Sequence, residues 1–132
     1  MPSLIFRKGL EMKDAVAGIL AENYHSALIE TIKANRFTYE AGRLTIHLAQ
    51  EFGFCYGVDR AVDYAYQTRT RFPDKRVYLT GEIIHNPHVN DQLRAQGIRF
   101  LTDEGASLES LGASDVVILP AFGITIELLH DL

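Results

Sequence analysis

The chain has 132 residues, 47% apolar and 23% charged, a balance that suits one soluble globular domain with a real core. Its formal charge of −4 argues against sequence-independent nucleic-acid binding, which needs a basic surface to displace counterions. No apolar run approaches the roughly 20 residues that span a bilayer, and the charges of Met1–Lys8 follow a short apolar stretch instead of preceding it, unlike a secretory signal. The expected compartment is the cytoplasm. A single cysteine rules out an internal disulfide, and equally a metal or iron–sulfur site built from cysteines of this chain alone, since such clusters take about four thiolates.

Residues 1 to 10 read as a weakly held leader. From Lys13 to about Asn35 the apolar positions Val16, Ile19, Leu20, Ala27, Leu28 and Ile32 recur at helical spacing, which predicts one long N-terminal helix. Tyr24 and His25 on it are read as packing or surface residues. Arg43–Ala49 alternates as a first strand, with His47 opposite Leu44, Ile46 and Leu48. A helix over Gly57–Phe72 stops at Pro73. Arg76–Gly81 is a second strand. Asn86 as N-cap and Pro87 at the first turn open a helix that carries Val89 and Leu93 inward and closes at Gly97. Ile98–Leu101 is a third strand, and a brief helix follows near Leu108–Leu111. The apolar run Asp115–Pro120 is a fourth strand, expected at the centre of the sheet. A last helix follows Gly123, and the chain reads as if cut inside a β-α-β unit.

Strands alternating with helices predict an α/β fold: a mostly parallel, doubly wound sheet of about four strands with an N-terminal helical extension. Residues 1–40 are the leader and extension, and 41–132 the α/β module. In such a sheet the loops after the strands open onto one edge, where ligands bind. Three of these loops carry chemistry. Gly53-Phe54-Cys55-Tyr56-Gly57 sets the cysteine before a helix N-terminus, whose partial positive charge favours thiolate. Gly81-Glu82-Ile83-Ile84-His85-Asn86-Pro87-His88 offers an imidazole suited to an anion such as phosphate. Pro120-Ala121-Phe122-Gly123 offers a glycine-bearing helix entry. Each has a plain counter-reading. Cys55 could be an inert packed thiol, His85 a surface histidine bonded locally, and Glu82 either a partner of His85 or a solvated carboxylate. Phe122 is read as packing and His88 as exposed.

Taken together, Gly53-Phe54-Cys55-Tyr56-Gly57-Val58-Asp59-Arg60-Ala61, Glu82-Ile83-Ile84-His85-Asn86-Pro87 and Val117-Ile118-Leu119-Pro120-Ala121-Phe122-Gly123 resemble the N-terminal part of 4-hydroxy-3-methylbut-2-enyl diphosphate reductases. The resemblance runs over roughly residues 14 to 132 and is nearest the cyanobacterial and plastid-type branch. It implies one module of a three-module trefoil around a [4Fe-4S] cluster, incomplete at its C-terminus, with Cys55 as one of three cluster ligands. It further implies His85 as a contact to the substrate diphosphate. The implied reaction is the reductive dehydroxylation of the allylic diphosphate to isopentenyl and dimethylallyl diphosphates, the last step of the methylerythritol phosphate route to isoprenoids. Ferredoxin or flavodoxin is the implied electron donor. Phe122 departs from the resemblance, since many members carry a second diphosphate-binding histidine there. The other two cluster cysteines and the proton-delivering glutamate are absent before Leu132, so the isolated chain is expected to be inactive. The competing readings are a small non-catalytic α/β module that binds phosphate or a partner, and a thiol enzyme using Cys55 with His85 or His88.

Overall fold

A computed structural model describes residues 4–6, 9–120 and 122–132; part of the expected leader (Met1–Ser3, Arg7, Lys8) and Ala121 lie outside the described residues. The expected long N-terminal helix is two helices, α1 (Lys13–Tyr24) and α2 (Ala27–Ala34). Apolar spacing continues in phase across the break, which is why periodicity merges them. Local chemistry divides them: His25 is extended (φ −81°, ψ 143°), and the Ser26 hydroxyl accepts from the Ile29 N–H at 3.4 Å, starting a new helix. The leader is also held more firmly at its end than its composition suggests. Leu10 is buried, and the N–H groups of Leu10 and Met12 both donate to the Gln67 side-chain oxygen, at 3.3 and 3.2 Å.

Two strands, β1 (Thr38–Ala41) and β2 (Leu44–His47), pair antiparallel with Ala41 opposite Leu44. The two-residue turn between them needs Gly42 at φ +62°, a conformation other residues resist. This corrects the expectation for the first strand, which is half of a hairpin and lies outside the parallel sheet. Turn chemistry at Glu40-Ala41-Gly42 decides the pairing, since an adjacent partner costs less chain entropy than a distant one. All four residues of β2 are exposed, His47 included.

After helix α3 (Tyr56–Arg71) come strand β3 (Val77–Leu79), helix α4 (Pro87–Ala95), strand β4 (Ile98–Phe100), a 3-10 turn at Leu108–Ser110, strand β5 (Val116–Ile118) and helix α5 (Ile126–Asp131). β4, β3 and β5 form a parallel three-stranded sheet in that order, with Val77 opposite Ile98 and Val116. The α/β class, the parallel pairing and most element positions match the reading of the sequence. The centre of the sheet does not. It is β3, wholly buried, while the more apolar Asp115–Pro120 run forms edge strand β5, only partly buried. Tyr78 fits the middle because the Arg76 and Arg99 guanidiniums cover its ring, 5.7 and 5.9 Å from its centroid.

The core lies against one face of this sheet. Val77, Leu79, Ile98 and Phe100 meet Val62, Ala65 and Tyr66 of α3, Val89 and Leu93 of α4, Val16 of α1 and Ile83. The N-terminal extension therefore contributes to the same core as the module.

Two arginine–aspartate pairs fasten the long 101–115 connection to the sheet. Arg94 grips Asp103 at 3.0 and 2.8 Å, and Arg76 grips Asp115 at 2.8 and 2.6 Å. The Arg76 hydrogen bonds hold the Asp115 carboxyl below the usual carboxylate range against the opposing effect of burial, and the Gly112 N–H adds to them. A carboxylate lowered in the folded state stabilises above its unfolded value, near 3.9, and loses that contribution as the pH falls below it. Asp115→Asn is thus expected to lower the thermal midpoint at pH 7, the gap to wild type closing below about pH 3.9. A gap that stays constant with pH would refute this origin.

Candidate functional site

The segment Glu82–Asn86 is shaped by what it buries. Ile83 is in the core, Ile84 packs against it, and the buried Asn90 side chain donates to the Ile84 carbonyl at 3.3 Å. Asn86 then caps α4, its side-chain oxygen accepting from the Val89 N–H at 3.3 Å, with Pro87 in the first turn, as the sequence predicted. With Ile83 and Ile84 turned inward and Asn86 spent on the cap, Glu82 and His85 are left outward. They meet: His85 Nδ1 lies 2.8 Å from Glu82 Oε2. Of the two readings left open for Glu82, the structure takes the one that pairs it with His85.

Phe122 corrects its expected packing role. It is 70% exposed, and its ring stacks on His85 at 6.2 Å between centroids with 12° between planes. The loops after β3 and β5 therefore do share one edge of the sheet. The loop after β2 cannot arrive there by the expected route, because β2 is not in that sheet. A different residue connects it.

Cys55 is exposed and sits at the N-cap of α3 without a side-chain capping bond, so its sulfur is uncommitted. The preceding Phe54 meets the Tyr24 ring edge-on at 5.7 Å, and Tyr24 in turn meets His88 at 5.8 Å and Tyr66 at 6.4 Å. Tyr24 thus fills the space between the cysteine loop and the first turn of α4. Its hydroxyl is buried without a hydrogen-bond partner, and burial, then the neighbouring Tyr66 hydroxyl, pushes the phenol well above its ordinary range. Tyr24 was read as a packing or surface residue, and the structure takes the packing alternative. No local pattern could reveal what it packs between, because its partners lie far along the chain. Around it, Tyr24, Gly53, Phe54 and Asn86 line an open cavity of about 510 Å³. Phe54 and Asn86 are the immediate sequence neighbours of Cys55 and His85, so the two loops that carry the candidate residues meet at one concavity.

A second cavity of about 540 Å³, beside the 101–115 connection, is lined by Arg76, Arg94, Arg99, Asp103 and Glu104 among others. Two of its arginines are held by Asp115 and Asp103, and the charges of Arg99 and Glu104 oppose each other. Its basic residues serve mainly to hold the connection down. Among the described residues no group of three His, Cys, Asp or Glu side chains is set to hold a metal ion. Cys55 suits one ligand position on a soft metal centre, and the remaining ligands would have to come from other sequence.

The family model described as "LytB protein" matches residues 46–132, which include Cys55, His85 and Phe122. The chain belongs to the LytB family. Its relatives include proteins named 4-hydroxy-3-methylbut-2-enyl diphosphate reductase. That of Prochlorococcus marinus subsp. pastoris is 50% identical over 95% of this chain and 33% of its own length. That of Synechococcus sp. strain CC9311 is 48% identical over 92% of this chain and 31% of its own. In Picosynechococcus sp. the identity is 44%, over 96% and 32%. This LytB chain therefore spans about a third of the length of the curated relatives it matches, and the resemblance read from its motifs holds. No helix among the described residues is long and apolar enough to cross a membrane.

Proposed function

We propose that this LytB chain is the part of a 4-hydroxy-3-methylbut-2-enyl diphosphate reductase that supplies one cluster thiolate and one diphosphate contact. Residues 41–132 act as the first α/β module, with 1–40 an extension packed onto it. Cys55 is one of three cysteine ligands to a [4Fe-4S] cluster, the other two coming from sequence outside this chain. When bound, the cluster supplies the electrons for removing the allylic hydroxyl, which reach it from ferredoxin or flavodoxin in the cytoplasm. His85 holds the diphosphate. The chain's own part is to present the thiolate and the imidazole around one cavity, with the Tyr24, Phe54 and His88 rings keeping the two loops in register. The observation that carries this reading is that cavity, lined by the sequence neighbours of Cys55 and His85, in a chain half identical to a protein named as the reductase.

The test is a chimera in which this chain replaces the matching third of the Prochlorococcus marinus relative. Anaerobic reconstitution is expected to give the visible absorbance of an iron–sulfur cluster and turnover of the allylic diphosphate. His85→Ala in that chimera is expected to raise KM at least about tenfold, the equivalent of one charge-assisted hydrogen bond, with the cluster absorbance unchanged. A chimera that folds and takes up no iron would sink the assignment in favour of a small non-catalytic phosphate-binding module.

A further inference from the structure

The Glu82–His85 contact fixes more than a position. A carboxylate can only accept, so the 2.8 Å contact places a proton on His85 Nδ1. In the neutral ring Nε2 is then a bare lone pair, which cannot donate to an anion. The Phe122 ring lies parallel to the imidazole and forms one wall beside it, leaving His85 outward with 88% of its side chain exposed. Besides Glu82 itself, Arg94 of α4 is a charged group that bears on the pair. Arg94 acts on Glu82 through space while its guanidinium is held by Asp103 and Asp91.

We propose that Glu82, supported by Phe122, is a positioning residue that holds His85 as its Nδ1–H tautomer, so that an anion bound at Nε2 enters together with one proton. The tautomer stands on geometry alone; the proton-linked binding rests on the anion-contacting role given to His85 above. The proton comes from solvent onto Nε2, and the resulting imidazolium donates at once to Glu82 and to the anion. Binding at this corner of the site therefore weakens as the pH rises and that second proton becomes harder to hold. With Glu82 gone the ring can carry its proton on Nε2 while neutral, and the linkage weakens.

Long-range proton–nitrogen NMR of the full 132-residue chain tests both halves. At pH 8 wild-type His85 is expected to show the Nδ1–H pattern, and Glu82→Ala the Nε2–H pattern common for free histidine. Phe122→Ala is expected to keep the tautomer while the His85 ring protons move downfield as they leave the aromatic ring current. Sulfate is a suitable probe because it does not titrate near neutral pH. Its affinity, read from the His85 resonances, is expected to fall about tenfold between pH 7 and pH 8 in wild type, one proton per anion, and about threefold or less in Glu82→Ala. An Nε2–H wild type, or a tautomer that Glu82→Ala leaves unchanged, overturns the proposal. So does an equal pH dependence of sulfate binding in the two proteins. Sulfate that leaves His85 unmoved in both, with the tautomers as expected, refutes the anion role of His85 and its proton linkage and leaves the positioning by Glu82 standing.

Discussion

Cys55→Ser in the chimera is expected to abolish iron–sulfur absorbance and to reduce turnover by at least about 100-fold. Residues that merely support a metal ligand cost 10- to 100-fold on removal, and loss of the ligand itself should exceed that. The serine oxygen is harder and less acidic than the thiol it replaces, so it is a poor match for iron bound among sulfurs. Because Cys55 is exposed and caps α3 through its backbone alone, the change removes no contact. Thermal unfolding of the 132-residue chain is therefore expected to come no earlier for Cys55→Ser than for wild type, since a serine hydroxyl at this N-cap can accept a first-turn N–H. A variant that keeps its cluster, or one that loses it together with its folded structure, would deny Cys55 the part of a ligand.

The second large effect is on stability. Phe100 is fully buried on β4, one strand from the sheet centre, and its ring carries the Arg94 guanidinium at 4.2 Å. Phe100→Ala removes a large apolar side chain and opens a cavity that the parallel sheet cannot close, at a cost of about 3 to 5 kcal/mol. A domain of this size holds a total of about 5 to 15 kcal/mol, so this one substitution takes a large share of it. The urea midpoint is expected to fall by roughly 2 M. The same change also takes the platform from under Arg94 and so loosens its grip on Asp103. Phe100→Leu, which keeps most of the volume, should cost far less. Equal losses for the two would mean that Phe100 is not packed as the structure has it.

Much of this was legible in the sequence, and what was not has identifiable physical causes. Cap chemistry is local, so Asn86 and Pro87 announce α4 without ambiguity. The turn at Leu108–Ser110 and the inward pair Val89 and Leu93 were equally open to reading. Strand order is not local. The Asp115–Pro120 run looks central because it is apolar, yet β3 takes the centre with a tyrosine whose polar face is covered by two arginines. Half of that cover comes from Arg99, 21 positions away, and leaves no periodic trace. The helix break at His25–Ser26 was missed for the opposite reason, since the apolar stripe resumes in phase and only the capping serine marks the interruption. At the site, the Glu82–His85 spacing of three made a contact conceivable without deciding it. Phe122 looked like core because it is aromatic. Its stacking on His85 required the loops after β3 and β5 to be neighbours, which only the parallel pairing of those strands provides.

The Gln67 side chain has a consequence for how this sequence can drift. Its oxygen accepts from the Leu10 and Met12 backbone amides, and its nitrogen donates to Asp63 at 2.8 Å. Backbone donors are common to all residues but proline, so that bond places little demand on the identity of positions 10 and 12 beyond excluding proline. Position 67 has no such freedom. Glutamate would keep an acceptor but set a second carboxylate against Asp63, and a shorter asparagine would not reach both ends. One buried carboxamide thus holds its strap without dictating its side chains, leaving position 10 answerable only to the core it enters, while allowing almost no variation in itself.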